Sequence, residues 1–120
     1  MEGLHIIANF YQCNFDLNNN QLLLDNSINF CKNVGLHVVG VTSHEFEPQG
    51  LTFAILLAES HVSIHTWPED GNVAFDIYTC NYQSDNNDKA MKVYEALKSL
   101  LKAQYIDEKI IKRETLRKIN

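Results

Sequence analysis

The sequence predicts an α+β protein, a two-layer sandwich with a mainly antiparallel sheet and two helices on one face. Three observations carry this. The apolar runs that read as strands are short and are separated by Asn, Asp, Gly and Pro. Two segments repeat apolar residues at helical spacing. The order along the chain is strand, helix, four strands, helix, strand. The second face of such a sheet needs cover, and a partner subunit is the economical source.

Leu4 to Phe10 is apolar and β-prone and reads as the first strand. Asn14 to Asn20 is rich in Asn and Asp and reads as a turn. Gln21 to Val34 places Leu24, Ile28 and Cys31 at helical spacing, with Gly35 as the C-terminal stop. Leu36 to Val41 is the second strand, and Ser43 to Gly50 a polar loop carrying Phe46 and Pro48. Leu51 to Ala58 is almost continuously apolar, which predicts a strand buried on both faces. Val62 to Trp67 is extended. Pro68 to Asn72 is a turn, so Val73 to Thr79 returns antiparallel. Lys89 to Ala103 is an amphipathic helix with Ala90, Val93, Leu97, Leu100 and Leu101 on its apolar side. Tyr105 to Leu116 reads as a last strand.

The chain of 120 residues fits a single domain, 1–120, and its 45% hydrophobic content suffices for a core. Lys plus Arg number 10 against 15 Asp plus Glu, a formal charge of −5. That balance argues against nucleic acid, which needs a basic footprint. No secretory signal and no apolar stretch of membrane-spanning length is visible. Three cysteines without a CxxC pair read as reduced thiols in a cytoplasmic protein.

The densest chemistry lies in Leu57-Ala58-Glu59-Ser60-His61-Val62-Ser63-Ile64-His65-Thr66-Trp67-Pro68-Glu69, with Tyr78-Thr79-Cys80 fifteen residues beyond His65. To it belong Phe10-Tyr11-Gln12-Cys13, His44-Glu45-Phe46-Glu47-Pro48-Gln49-Gly50 and Val73 to Cys80. In this order and spacing the set resembles the small, self-processing S-adenosylmethionine decarboxylases of bacteria and archaea. The resemblance covers most of the chain.

The resemblance implies cleavage between Glu59 and Ser60 into chains 1–59 and 60–120. Ser60 then becomes a pyruvoyl group, the catalytic cofactor, with no metal. It makes His65 the processing base and Cys80 the catalytic acid. Thr52 stands where the family usually has a serine that assists processing. Phe46 is expected to stack on adenine and Glu69 to accept hydrogen bonds from ribose hydroxyls. Family members are homodimers or dimers of dimers with active sites at a protomer interface. Asn9 stands where an acidic residue is common, and Phe53 and Asn81 where glycine is usual, so Phe53 and Asn81 are expected to reshape the pocket. Some relatives decarboxylate arginine or ornithine instead. Phe46 and Glu69, both suited to a nucleoside, favour S-adenosylmethionine and hence polyamine (spermidine) synthesis. An unprocessed regulatory relative is the reading from another class, and the set Ser60, His65 and Cys80 argues against it.

The residues themselves permit this chemistry. Attack of the Ser60 hydroxyl on the Glu59 carbonyl turns an amide into an ester. Removal of the Ser60 α-proton expels that ester, and hydrolysis leaves the pyruvoyl group. His65 has the pKa range of the required acceptor, and the Thr52 hydroxyl is a donor for the transient oxyanion. A pyruvoyl carbonyl condenses with a substrate amine to a Schiff base that accepts the electrons of decarboxylation. A thiol such as Cys80 suits protonation at carbon. One geometric conflict is already visible: on a straight strand Ser60 and His65 point to opposite faces. Either the strand bends sharply between them, or they act from different chains.

Other residues carry plainer expectations. Cys13 and Cys31 read as structural. His61 and His65 share a face if extended, but no second pair has zinc-ligand spacing. His5, His37 and His44 read as ordinary, partly exposed histidines, with His44 nearest the site. Trp67 reads as a packing residue, and Asp76 as either a buried partner or a solvated strand position.

Overall fold

The computed structural model describes residues 2–81 and 85–114. Its elements are β1 (Glu2–Cys13), α1 (Asn20–Asn33), β2 (Val38–Glu45), β3 (Leu51–Leu57), β4 (Ser60–Trp67), β5 (Asn72–Cys80), α2 (Asn87–Leu101) and β6 (Ala103–Glu114). This is the expected element order. The strands form one sheet in the order β2-β3-β4-β5-β1-β6, with every neighbouring pair antiparallel. Both helices pack on one face and against each other.

Strand alternation makes the core. Leu4, Ile6, Ala8 and Phe10 of β1 point inward with Phe53 and Ile55 of β3, Val62 and Ile64 of β4, and Phe75 and Ile77 of β5. From α2 come Ala90, Val93, Tyr94, Leu97 and Leu101. The Tyr94 ring stacks on Phe75 at 5.8 Å, and its hydroxyl donates to Glu108 on β6. Burial and the Glu108 carboxylate together push the Tyr94 phenol well above its usual range.

Several expectations change. Leu51–Leu57 is not buried on both faces: its residues alternate, and Leu56 is 52% exposed. One face of the sheet lacks helices, so a nearly all-apolar strand still has an outer side. Ser43 to Glu45 are not loop but the end of β2, paired with Phe53, Thr52 and Leu51. The buried stripe of α1 is Leu23, Ser27 and Cys31, with Leu24 and Ile28 at its margin. Ser27 fits there because its hydroxyl donates to the Leu23 carbonyl at 2.7 Å. The α2 helix ends at Leu101, because Lys102 takes a left-handed conformation at φ 49. Ala103 therefore begins β6, whose expected end at Leu116 lies outside the described residues. Phe53 is core, 1% exposed, and lines a shallow cavity with His44 and Thr52.

One glycine is dictated by a close approach. A Cβ on Gly3 would lie 2.7 Å from the Thr79 carbonyl oxygen and 2.8 Å from the Tyr78 ring. The Tyr78 ring crosses β1 there and receives the Arg113 guanidinium on its face at 4.4 Å.

Candidate active site

β3 and β4 form a hairpin whose register runs unbroken from Thr52↔His65 to Leu57↔Ser60, with Ala58 and Glu59 as the turn. The Glu59–Ser60 bond is thus the exit of a two-residue hairpin turn. Neither turn residue has positive φ, so this is not one of the primed turns that match strand twist. The continuous ladders to β3 and β5 leave no sharp bend between Ser60 and His65. The two side chains lie on opposite faces, roughly 16 Å apart along the strand at about 3.3 Å per residue.

The site residues accordingly divide into two groups at opposite ends of the hairpin. At the turn end, Glu59 and Ser60 line a cavity of about 140 Å³ with Gly35, His37, Asn86 and Lys89. The exposed His37 is the histidine on that cavity, and its carbonyl accepts from the Ala58 amide at 2.9 Å. Cys80 ends β5 on the adjoining strand, one residue beyond the position facing Ser60. A chain of asparagines fixes it: the Asn86 side chain donates to the Cys80 carbonyl at 2.9 Å, and the Asn86 amide donates to the Asn81 side chain at 2.8 Å. Asn81 in turn donates to Asn87 at 3.1 Å. Asn81 thus anchors the start of α2.

At the far end, Phe46, Gln49, Gly50, Thr52, His65, Trp67 and Glu69 line a cavity of about 380 Å³. The Thr52 hydroxyl and His65 Nδ1 are 3.0 Å apart. The Phe46 ring, 50% exposed, meets His44 edge-on at 4.6 Å. Four expected site residues, Phe46, Thr52, His65 and Glu69, therefore converge here without Ser60. Trp67 is corrected: it is 47% exposed on this cavity rather than packed in the core. Strand alternation explains it, since Thr66 points inward to accept from the Leu51 amide at 2.9 Å.

Between the two ends, the helix-free face carries a network that sequence reading missed. Asp76 Oδ2 lies 2.6 Å from His5 Nε2 and 2.9 Å from His61 Nε2, and Asp76 Oδ1 accepts from Ser63. His5 and Asp76 are seventy-one residues apart, so no local pattern signals the pair. Burial alone would raise the Asp76 carboxyl, but the bonds from Ser63, His5 and His61 and the His61 charge outweigh it and hold it below the usual range. The three ligand-type atoms lie within 4.8 Å of one another. Arg113 Nη1 stands 3.4 Å from His5 Nδ1, however, and makes that nitrogen an acceptor. The His5 proton then sits on Nε2 and faces Asp76, where a metal would need a lone pair. Cys13 and Cys31 behave as expected of structural thiols, since burial pushes both up to about 11.

The family model for S-adenosylmethionine decarboxylase matches residues 4–114. An S-adenosylmethionine decarboxylase proenzyme of Persephonella marina is 40% identical over 118 residues, 95% of this chain and 84% of that protein. One from a Sulfurihydrogenibium species is 39% identical over 115 residues, covering 92% and 81%. The crystal structure of the adenosylmethionine decarboxylase from Aquifex aeolicus superposes with a TM-score of 0.85 at 29% identity, covering 98% of this chain and 95% of that one. A Trypanosoma brucei AdoMetDC monomer, at 11% identity and TM-score 0.59 over 88% of this chain and 44% of that one, shares the fold alone. The fold is that of a class of small two-layer carboxy-lyases. The chain belongs to the S-adenosylmethionine decarboxylase family.

Proposed function

We propose that this protein decarboxylates S-adenosylmethionine with a pyruvoyl group made from its own Ser60, and so supplies the aminopropyl donor for polyamine synthesis. The observation that carries this reading is the position of the Glu59–Ser60 bond at a hairpin turn on a cavity, with Cys80 on the adjoining strand. The pyruvoyl carbonyl supplies the electron sink for loss of carbon dioxide from an amine-bearing acid. Asn86 holds the backbone of Cys80 at the end of the adjoining strand, where alternation turns its side chain to the helix-free face; on this reading its thiol returns the proton to carbon.

His65, Thr52, Phe46 and Glu69 act from a second copy of the chain. Within one copy they sit at the wrong end of the hairpin for Ser60, so a complete site takes one cavity from each protomer. The helix-free face offers the surface, since Ile7, Leu56, Trp67 and Tyr105 stand exposed on it. A two-fold dimer contributes each group to each site once. In that pairing Phe46 and Trp67 supply flat apolar faces for a purine, and Glu69 accepts from ribose hydroxyls. On this reading the pocket takes a flat nucleoside rather than the flexible cationic side chain of arginine or ornithine.

The test is the intact mass of the denatured protein. Two chains split at Glu59–Ser60, the second lighter by one ammonia than a serine-started peptide, are the expected result. The Ser60→Ala variant stays whole and releases no carbon dioxide from labelled S-adenosylmethionine. Undiminished release by that variant would overturn the reading.

A further inference from the structure

We propose that Lys89 is the counter-charge for the carboxylate that leaves when the Glu59–Ser60 ester opens. The inference rests on the self-cleavage reading above and adds a residue to it. Lys89 lies half buried in α2 and lines the same small cavity as Glu59 and Ser60. Its ammonium reaches over Gly35, 3.8 Å from where a Cβ would stand on that residue. Among the described residues it makes no ion pair. A half-buried ammonium without a counter-ion, on the cavity of a bond whose breakage creates an anion, has that anion as its natural partner.

The bookkeeping of atoms identifies the charge. After the acyl shift, Glu59 is joined to Ser60 through the serine Oγ. The processing base takes the Ser60 α-proton, the electron pair forms the Cα–Cβ double bond, and the Cβ–Oγ bond breaks. Oγ departs with Glu59, whose backbone carbonyl carbon now carries a full carboxylate. Water then converts the dehydroalanine nitrogen to ammonia and leaves the pyruvoyl group. Once the ester has formed, negative charge returns to the Glu59 carboxyl as Cβ–Oγ breaks, so a cation there acts in that transition state rather than in the resting amide. The substrate's own carboxylate is a poor alternative occupant. Its charge must flow into the substrate as carbon dioxide leaves, and an ammonium held on it would stabilise the ground state.

The test follows cleavage of the full-length chain by intact mass under denaturing conditions, for wild type, Lys89→Met and Lys89→Arg, with and without neutral hydroxylamine. Lys89→Met should form the pyruvoyl chain about tenfold more slowly or worse, less than for a buried oxyanion donor because Lys89 is half exposed. Hydroxylamine should then split the stalled chain into a 1–59 hydroxamate and a chain still beginning with serine, the mark of an accumulated ester. Lys89→Arg should keep cleavage near the wild-type rate. Lys89→Gln serves as the neutral variant if Lys89→Met does not fold by circular dichroism. Wild-type cleavage in the neutral variants, or slowing with no hydroxylamine-labile ester, would overturn the assignment while leaving Ser60 as the pyruvoyl precursor. A wild-type chain that never splits would overturn both.

Discussion

Asp76 gathers three polar partners on the helix-free face: His5, His61 and Ser63 all point at it. Its carboxyl is held below the usual range, so its ionised form favours the folded state. That contribution is complete above the unfolded carboxyl value of about 3.9 and is lost as pH falls through the lower folded value. Asp76→Asn should therefore cost about 2 kcal/mol at neutral pH, the scale of hydrogen bonds to a charged group. The difference should narrow only below about pH 4. Urea melts of both chains at pH 7 and pH 3 check this, and an equal gap at both would remove the carboxylate as its source. The sequence left Asp76 as either a buried partner or a solvated position and named no partner, because His5 and Asp76 belong to separate strands and only the β1–β5 register brings them together. Trp67 was misread for a related reason: an aromatic in a strand is core or surface according to parity, and parity is fixed by its neighbours Thr66 and Pro68.

At the scale of elements, periodicity in the sequence located every strand and helix to within a few residues, because alternation and helical spacing are local properties. What it missed were contacts between elements. Tyr94 was absent from the expected apolar side of α2, since a tyrosine belongs there only if something receives its hydroxyl, and Glu108 on β6 does. The aromatic stack of Tyr94 on Phe75 joins α2 to β5, the strand that ends in Cys80. Leu97→Ala, on the same buried stripe, should destabilise by about 3 kcal/mol through lost transfer and a residual cavity. A denaturant midpoint unchanged by this substitution would mean that α2 does not seal the core. Gly3→Ala should be worse than its small size suggests, because the added methyl meets a backbone carbonyl that cannot swing aside.

For the whole molecule, the decisive fact is that the expected site residues lie at two ends of one hairpin. The sequence exposed the conflict, because side-chain period two sets Ser60 against His65. It could not say which escape the fold takes, since a bend and a second chain are equally compatible with the residues. The unbroken ladders remove the bend. Ser60→Ala and His65→Ala chains, each inactive alone, should therefore complement when refolded together. Random pairing gives half mixed dimers with one intact site in two, so about a quarter of wild-type decarboxylation is expected from a two-fold assembly. No recovery on mixing would place both residues in one copy and count against the shared site.

The sheet order also settles what a cut after Glu59 would do to the molecule. The fragment before the cut supplies β1, α1, β2 and β3, and the fragment after it supplies β4, β5, α2 and β6. Yet β1 lies between β5 and β6. The two pieces are interleaved like the fingers of clasped hands, and each keeps no more than a two-stranded ribbon of its own, β2-β3 or β4-β5. Severing the backbone at the hairpin frees new chain ends for chemistry while every strand keeps its neighbours, so one gene product can act as two chains without ever coming apart.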